Sequence, residues 1–263
     1  MGELGLLERL RPLLANPLDD DVAVWPEPDG SFTVATCDAF VEGRHFDLAW
    51  MAPEDAGWRA CALTLADLGA KAARPAFGLV SLAAPAQMEA DVVERLYRGL
   101  SDCAEEFELR LVGGDTVASP VLSLTVFAIG RAEVEPLSRS AARPGWVIGV
   151  TGPLGAEAAA LAGRRATRPR PYWWPHGGAA GDISDGLLRE LAKFRLGAAI
   201  DSARVPVAAG ATLQQALTGG EEVHFVVASP EIVGGMIAIG EFTDGDRILV
   251  DGAEAEGGYD HFA

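Results

Sequence analysis

The stretch FTVATCDAFVEGRHF at residues 32–46 joins an apolar, β-branched run to a polar loop, and this combination indicates a strand-based α/β fold. Residues 32–37 predict the strand. Asp38 stands at the predicted end of this strand, where the ligand sites of α/β proteins commonly collect. His45 follows in the loop, where either packing or a functional contact could account for it.

Predicted helices and strands alternate along the rest of the chain. Pro53 begins a helix that reaches about Ala73, with Trp58, Cys61 and Leu65 on one apolar face. The other predicted helices span residues 3–14, 89–107, 154–162 and 186–195. The other predicted strands span residues 76–83, 109–112, 121–130, 146–152, 198–200, 224–229, 236–240 and 247–252, with a Gly-Gly-Asp turn after the second of these and a long loop at 163–181.

This alternation predicts an α/β, or mixed α+β, protein with two domains. Residues 131–145 (RAEVEPLSRSAARPG) are polar and rich in turn-forming residues, so we place the domain boundary there. The predicted N-terminal domain, residues 1–134, contains a mixed sheet with helices. The predicted C-terminal domain, residues 135–263, is a second α/β unit.

The composition argues against several classes of protein. A formal net charge of −17 is unfavourable for binding nucleic acid through its phosphates. No apolar stretch is long enough to predict a transmembrane helix, and residues 1–14 lack the cationic start and apolar centre of a secretion signal. Cys37, Cys61 and Cys103 have no metal-finger spacing. We therefore expect a reduced, cytoplasmic setting without membrane or nucleic-acid partners.

Two groups of carboxylates are candidate metal ligands because they are costly without cations. Asp19–Asp21 are adjacent, and adjacent carboxylates repel one another unless a cation or solvent screens them. Asp67 occupies an otherwise apolar helix, where burial without a partner would be unfavourable. Each has an ordinary alternative, which is an exposed acidic turn for Asp19–Asp21 and a helix-surface aspartate for Asp67.

The motif LVGGDT at residues 111–116 adds glycines to a carboxylate. Gly113 and Gly114 allow close approach of the backbone, and their N–H groups can face phosphate oxygens beside Asp115. A plain β-turn would also explain the two glycines.

The motif GDISDGL at residues 181–187 spaces two carboxylates and a hydroxyl before a predicted helix. Asp182 and Asp185 could flank a metal ion. Alternatively, Ser184 or Asp185 could simply cap the helix.

The motifs of common nucleotide-binding enzymes do not occur in the sequence. It contains no GxxxxGK[ST] phosphate loop, no protein-kinase HRD or DFG set and no Rossmann GxGxxG. The only lysines are Lys71 and Lys193, and neither lies in a glycine-rich turn. If the protein handles a nucleoside triphosphate, Mg²⁺ and arginine must neutralise the phosphates, and scattered aspartates suit Mg²⁺.

The order of these motifs resembles the thiamine-monophosphate kinase family, which belongs to the superfamily of aminoimidazole ribonucleotide synthetase and selenophosphate synthetase. The resemblance is carried by DDxA, TxDxxVEGxHF, xxDLxAxxAxP, GGDT, RSxAxPG, TGxLG, DISDGL, GGE and the terminal G-aromatic-DHF. It implies a two-domain aminoimidazole ribonucleotide synthetase-like fold, a homodimer paired through N-terminal strands, and ATP with several Mg²⁺ ions in a cleft between domains. It also implies phosphorylation of thiamine monophosphate to thiamine diphosphate.

The resemblance assigns roles to individual residues by motif. The implied Mg²⁺ ligands are Asp21, Asp38, Asp67, Asp115 and Asp182, with Thr36 and Cys37 as flanking metal contacts and Asp185 as the holder of a further ion. The implied nucleotide contacts are Tyr97, Gly113, Gly114, Arg139 and Ser184, and the implied contacts to thiamine phosphate are His45, Glu221 and Tyr259. Asp38, Asp115 and Arg139 are expected to carry catalysis, the aspartates by holding Mg²⁺ ions that align and screen the reacting anions and Arg139 by adding positive charge at the nucleotide.

Departures from the family pattern keep two alternatives open. The usual GGEDYEL reads GGEEVHF here, with Glu222 where Asp is common, and Cys37 replaces Thr. The chain is also shorter than typical members, chiefly around 163–181 and 205–240. The alternatives are another ATP-using enzyme of the superfamily and a shortened, non-catalytic nucleotide-binding paralogue.

Overall fold

The computed structural model describes residues 2–15 and 20–262, so Asp19 lies outside the described residues. The helices are α1 (Glu3–Leu10), α2 (Pro53–Ala70), α3 (Ala90–Glu106), α4 (Ala156–Ala162), α5 (Leu187–Lys193) and α6 (Leu213–Thr218). The strands are β1 (Ala23–Pro26), β2 (Phe32–Val41), β3 (Arg74–Ala84), β4 (Arg110–Ala118), β5 (Ser123–Ala132), β6 (Val147–Val150), β7 (Ala179–Ile183), β8 (Gly197–Ile200), β9 (Glu222–Ser229), β10 (Ile237–Thr243), β11 (Ile248–Val250) and β12 (Ala253–Glu254). None of the described helices combines the length and apolarity needed to cross a bilayer.

Two compact units make up the chain. The N-terminal unit comprises Val24–Glu135 and Ala160–Trp173, and the C-terminal unit comprises Met1–Ala23, Pro136–Ala159 and Trp174–Ala263. The chain passes from one unit to the other at residues 135–136, beside the predicted boundary. Two segments differ from this prediction. Residues 1–23 were predicted in the N-terminal domain but belong to the C-terminal unit. Residues 160–173 were predicted in the C-terminal domain but belong to the N-terminal unit.

Side-chain hydrogen bonds, which sequence periodicity does not reveal, explain this exchange. Trp58 Nε1 in α2 donates to the carbonyl oxygen of Pro169 at 2.8 Å, and Trp173 Nε1 donates to that of Ala73 at 2.6 Å. These bonds fasten residues 160–173, here called the strap, to the N-terminal unit. Arg189 Nη2 in α5 lies 3.2 Å from Glu3 Oε2, which fastens α1 to the C-terminal unit.

A five-stranded mixed sheet forms the N-terminal unit, in the order β1-β2-β5-β3-β4. Strand β5 pairs antiparallel with β2 and β3, and β3 pairs parallel with β4. One face of the sheet is buried, where Val34, Val80 and Val126 point inward. Phe77 and Phe127 remain exposed on the opposite face.

Helix α2 is buried on almost every side rather than on the single predicted face. The buried positions run from Ala56 to Ala70 without interruption. A helix that is apolar on every side must be covered by other elements on every side. Here the sheet, α3 and the strap cover it. The sequence predicted the helix but not the strap that covers it.

Glycines permit helices α2 and α3 to cross in direct backbone contact. A Cβ on Gly57 would stand 1.9 Å from the carbonyl oxygen of Leu96, and one on Gly99 would stand 1.8 Å from that of Glu54. Neither position can hold a larger residue unless the helices separate.

A seven-stranded sheet forms the C-terminal unit, in the order β12-β11-β8-β10-β6-β9-β7. Strands β6, β9 and β7 pair antiparallel in succession, which places β7 at one edge of the sheet. The apolar core lies against helix α5, with Ile148, Val226, Ile239, Leu187 and Leu191 all buried.

The predicted Gly-Gly-Asp turn is wrong, because Gly113, Gly114 and Asp115 lie inside strand β4. A Cβ on Gly114 would stand 1.8 Å from the carbonyl oxygen of Val80 in the neighbouring strand β3. The glycine is therefore needed for close strand pairing, and glycine is a poor guide to turns where two backbones approach.

The C-terminal half contains three named elements that the sequence pattern did not predict. Strand β7 starts at Ala179, inside the region predicted as a loop through residue 181, and neither helix α6 nor strand β12 was predicted. Strand β1 in the first half was not predicted either. All four are short, so they offer few residues for a periodic pattern. The remaining predicted strands and helices occur, with ends shifted by a few residues.

Replacing Gly57 with alanine should destabilise the N-terminal unit by about 1–3 kcal/mol, because the new methyl group forces α2 and α3 apart. Chemical denaturation followed by tryptophan fluorescence measures this loss. Gly234→Ala is the control, since its Cβ would meet no atom closer than 3.7 Å. Equal stability of the two variants would contradict the prediction.

Candidate functional site

In the N-terminal unit, three of the predicted metal contacts lie together on the covered face of the sheet. Thr36 in β2 and Asp67 in α2 are both buried, and Thr36 Oγ1 donates to Asp67 Oδ2 at 2.5 Å. Asp38 is two positions along β2 from Thr36, so its side chain leaves the same face. Cys37 falls between them on the more open face of β2, and partial burial of its thiol, followed by nearby Asp38, raises the thiol pKa.

Asp115 and the two glycines before it lie on the far strand of the same sheet. Asp115 is exposed and is paired in register with Ser81 of β3, whereas Asp38 is paired with Val126 of β5. Strands β5 and β3 therefore separate Asp38 from Asp115. The structure groups Thr36, Asp38 and Asp67, and it leaves Asp115 apart from them within this unit.

His45 and Tyr97 are both half-buried and oriented by their surroundings. The backbone N–H of Val41 donates to His45 Nδ1 at 3.0 Å, so the proton of a neutral imidazole resides on Nε2. The His45 ring also meets Phe40 edge-on, with centroids 5.7 Å apart. Burial raises the pKa of Tyr97, whose phenol therefore stays protonated and able to donate.

In the C-terminal unit, a buried guanidinium binds one of the predicted metal ligands. Arg139 donates to both carboxylate oxygens of Asp21, from Nη1 at 2.5 Å and from Nη2 at 2.8 Å. Its Nη1 also lies 3.3 Å from Glu190 Oε2. Burial alone would lower the pKa of Arg139, but Asp21, Glu190 and Asp20 outweigh it and raise the pKa.

Glu190 and Lys193 extend this network along helix α5. Lys193 Nζ lies 2.6 Å from Glu190 Oε1 and 2.8 Å from Asp185 Oδ2. Glu190 is fully buried, and this burial raises its pKa to about 7 although Lys193 and Arg139 act to lower it. Burial would lower the pKa of Lys193, but Glu190, Asp21 and Asp185 raise it well above its ordinary value.

Glu190 was not among the site residues predicted from the sequence. Its only signal was an acidic side chain three positions before Lys193 on a predicted helix, a spacing that puts both on one face. The structure places a Glu190 oxygen within 4.8 Å of oxygens from Asp21 and Asp182. Carboxylate oxygens grouped in this way can hold a divalent cation.

Charge is unbalanced among the acidic and basic side chains around helix α5, here called the α5 cluster. When its four carboxylates are ionised, their negative charge exceeds the positive charge of its two cations by two units. The carboxylates are Asp21, Asp182, Asp185 and Glu190, and the cations are Arg139 and Lys193. One divalent cation would balance that surplus.

The residues that precede helix α5 do not act as its cap. Asp182 lies in β7, and Ser184 Oγ donates to Asp182 Oδ1 at 3.4 Å. Gly186 occupies the N-cap position, and no side chain caps it. The alternative interpretation of Ser184 or Asp185 as the N-cap is therefore wrong.

The GGEE segment is joined to the same turn. Glu221 adopts a left-handed backbone (φ 66°), and its N–H donates to the carbonyl oxygen of Ser184 at 2.8 Å. The buried carboxylate of Glu222 accepts hydrogen bonds from the N–H groups of Gly155 at 2.8 Å and Glu157 at 3.2 Å. The Glu222 departure from the family pattern thus has a structural role at the start of α4.

Tyr259 lies in the C-terminal tail beside Asp185. Its N–H donates to the carbonyl oxygen of Asp185 at 2.8 Å, and its ring meets His261 edge-on. The side chain is 39% exposed, so it can accept a stacking partner. Glu221, Ser184, Asp185 and Tyr259 all belong to the C-terminal unit.

The chain is similar to several known proteins. Residues 19–132 match the family model "AIR synthase related protein, N-terminal domain". The thiamine-monophosphate kinase of Methanopyrus kandleri is 35% identical over 88% of this chain and 84% of its own length. That of Mycobacterium tuberculosis is 33% identical over 98% and 90%. The solved structure "AaThiL complexed with AMPPCP and TMP" has a TM-score of 0.88 at 27% identity, covering 99% of this chain and 97% of its own.

Lys193→Met should lower the free energy of unfolding by about 3–5 kcal/mol, because it leaves Glu190 and Asp185 buried with a larger surplus of negative charge. Millimolar Mg²⁺ should restore part of the loss. Thermal and chemical unfolding with and without Mg²⁺ measures both effects.

Arg98→Met is the matched control for Lys193→Met. Its ion pair with Glu94 joins side chains that are 64% and 66% exposed, so its loss should change stability by less than about 1 kcal/mol. Unchanged stability of Lys193→Met, or a Mg²⁺ effect equal to that of the control, would contradict the prediction.

Proposed function

Because the chain belongs to the thiamine-monophosphate kinase family, we propose that it transfers the γ-phosphoryl group of ATP to thiamine monophosphate, giving thiamine diphosphate and ADP. The observation that carries the proposal is the close fold match to a relative that was solved with AMPPCP and TMP. The match spans nearly the whole of both chains, so the shortened regions remove no unit of the fold.

The acceptor in this reaction is a phosphate oxygen that needs no general base. The second pKa of a phosphate monoester is about 6, so the acceptor is largely deprotonated at neutral pH. Catalysis then depends on aligning two anions and screening their repulsion. Side chains that hold cations and orient phosphates are therefore more important than a proton acceptor.

Several Mg²⁺ ions are part of the proposal, and the residues present fit them. The charge surplus of the α5 cluster and the grouping of Asp21, Asp182 and Glu190 oxygens suit a small hard cation. Asp38, Asp67, Thr36 and Cys37 would hold ions in the N-terminal unit. Asp115 and Asp185 are the remaining proposed Mg²⁺ ligands. The ions would supply electrostatic screening of the phosphates.

Contacts to the two substrates are proposed from the motifs. Tyr97, Gly113, Gly114, Arg139 and Ser184 would contact the nucleotide, and His45, Glu221 and Tyr259 would contact thiamine monophosphate. In the structure Arg139 binds Asp21 with both terminal nitrogens. Its proposed part in catalysis therefore includes holding Asp21 in place for a metal ion.

One incubation tests the proposed function. Purified protein with ATP, Mg²⁺ and thiamine monophosphate should form thiamine diphosphate and ADP in equal amounts. ADP release that requires formylglycinamidine ribonucleotide instead would support the related ring-closing synthetase. Stabilisation by Mg·ATP without any thiamine diphosphate would support the non-catalytic paralogue.

Asp38→Asn and Asp115→Asn should each lower turnover at least about 100-fold, because each weakens the hold on a cation that would screen the reacting phosphates. The measurement is initial-rate kinetics at saturating Mg²⁺, with circular dichroism to verify the fold. Asp102→Asn, an equal change of charge on the exposed side of α3, is the control. Near-normal turnover of both site variants would refute the assigned roles.

We also propose that the protein forms a homodimer and resides in the cytoplasm. The uncovered face of the N-terminal sheet carries large apolar side chains, and an exposed apolar patch of this kind commonly marks an interface. The exposed residues are Phe77, Leu79, Val112, Val117, Phe127 and Ile129, each at least 37% exposed. Free thiols at Cys61 and Cys103 support a reducing compartment.

Leu79→Glu should convert the proposed dimer to a monomer, because it places a charge in the apolar face that would be buried. Light scattering coupled to size exclusion measures the mass. Leu213→Glu, at a residue of similar exposure in α6, should leave the mass unchanged. A wild-type monomer, or a dimer that survives Leu79→Glu, would count against this interface.

A further inference from the structure

Three charged residues tie both ends of the chain to helix α5. Arg189 Nη2 lies 3.2 Å from Glu3 Oε2 in α1 and 3.3 Å from Asp260 Oδ2 in the C-terminal tail, Gly257–Phe262. The exposed fractions of the three side chains are only 15% to 21%. Glu3, Arg189 and Asp260 are called the chain-end clasp.

Asp260 is the centre of the clasp because it also binds backbone groups. Its Oδ1 accepts from the N–H of Glu3 at 3.2 Å, in the first turn of α1, and from the N–H of Phe262 at 2.9 Å. The N-cap residue Gly2 supplies no side-chain oxygen, so Asp260 provides the carboxylate that a helix N-terminus favours. The Phe262 N–H foremost, then the Glu3 N–H and Arg189, keep the pKa of Asp260 low despite slight desolvation.

The tail leaves the clasp in close contact with α5. A Cβ on Gly258 would stand 2.4 Å from Arg189 Cβ and 2.6 Å from the carbonyl oxygen of Asp185. The next residue, Tyr259, donates its N–H to the same Asp185 oxygen at 2.8 Å. The Tyr259 backbone is therefore held on one side by Asp185 and on the other by the clasp.

The ring of Tyr259 is held as well. It meets His261 edge-on, with centroids 4.8 Å apart and planes at 82°. His261 Nε2 lies 3.7 Å from Asp185 Oδ1. A short terminal segment thus presents a partly exposed aromatic face next to the α5 cluster, in an orientation that the tail alone would not maintain.

We infer that the chain-end clasp is a positioning device for Tyr259, which sets the affinity for the acceptor substrate and leaves the chemical step unaffected. The inference rests on the proposed function, in which Tyr259 stacks on the ring of thiamine monophosphate. Without the clasp, the tail would have to be ordered by the substrate itself, and that loss of conformational freedom weakens binding. Glu3, Arg189 and Asp260 act through Tyr259 and are positioning residues.

The test compares Asp260→Ala, Tyr259→Ala and the double variant. Asp260→Ala should raise KM for thiamine monophosphate about tenfold, which corresponds to about 1.4 kcal/mol, while kcat and KM for ATP change less than about twofold. Calorimetric Kd values for thiamine monophosphate with AMPPCP present should rise in parallel. Asp260→Ala should add nothing further in the Tyr259→Ala background, because the clasp acts only through that ring.

Two further variants separate positioning from general stability. Asp260→Asn keeps the oxygen that accepts the two backbone N–H groups and should recover part of the affinity. Glu8→Ala removes a different ion pair of α1, with Arg195, without touching the tail, and should leave KM unchanged. If Asp260→Ala does not fold, Arg189→Gln serves for the same comparison.

The outcomes distinguish failure of the proposed function from failure of the inference. A wild-type enzyme that neither binds thiamine monophosphate nor forms thiamine diphosphate refutes the proposed function, and the inference with it. An active wild type with an unchanged KM in Asp260→Ala refutes the inference alone. So does an equal loss of kcat and of ATP affinity, or a full additional loss in the Tyr259→Ala background.

Discussion

The constraint on which the C-terminal unit depends is the burial of carboxylates in excess of the cations beside them. Glu190 has no exposed surface, and it shares Arg139 and Lys193 with Asp21 and Asp185. Removing such charges from water is costly unless geometry and hydrogen bonds compensate. Helix α5 and the segment before β1 are therefore arranged around two cations. The residual negative charge makes the cluster receptive to a metal ion.

The N-terminal unit handles the same problem with different groups. Asp67 lies on a helix that is buried on nearly every side, and the hydroxyl of Thr36 satisfies one of its oxygens. Such a helix requires cover beyond the sheet and α3. The strap supplies it through Trp58 and Trp173, whose indole N–H groups bond to backbone carbonyls. The strap is thus part of the support for Asp67, a proposed metal ligand, although it lies far from Asp67 in sequence.

The sequence predicted most strands and helices and the order of the motifs, because these depend on local periodicity and on short residue patterns. The sequence did not predict that α1 would belong to the C-terminal unit and the strap to the N-terminal unit, since this depends on hydrogen bonds between distant residues. Gly113 and Gly114 were wrongly predicted to form a turn, because the sequence alone does not distinguish a glycine needed for close strand pairing from one needed for a turn. Glu190 was missed because a glutamate on a helix is ordinary until burial makes it costly. The metal and substrate contacts remain predictions.

The alternative of a non-catalytic nucleotide-binding paralogue can be compared with the kinase by asking which features of the structure each function requires. A protein that only bound Mg·ATP would still need the α5 cluster, so the cluster alone does not separate the hypotheses. Such a protein would not need an aromatic ring placed for a second substrate. Tyr259 is nevertheless held by a backbone hydrogen bond to Asp185, by His261 and by the residues that anchor Asp260. Ordering an irregular segment opposes conformational entropy, and a planar acceptor substrate would give that order a purpose.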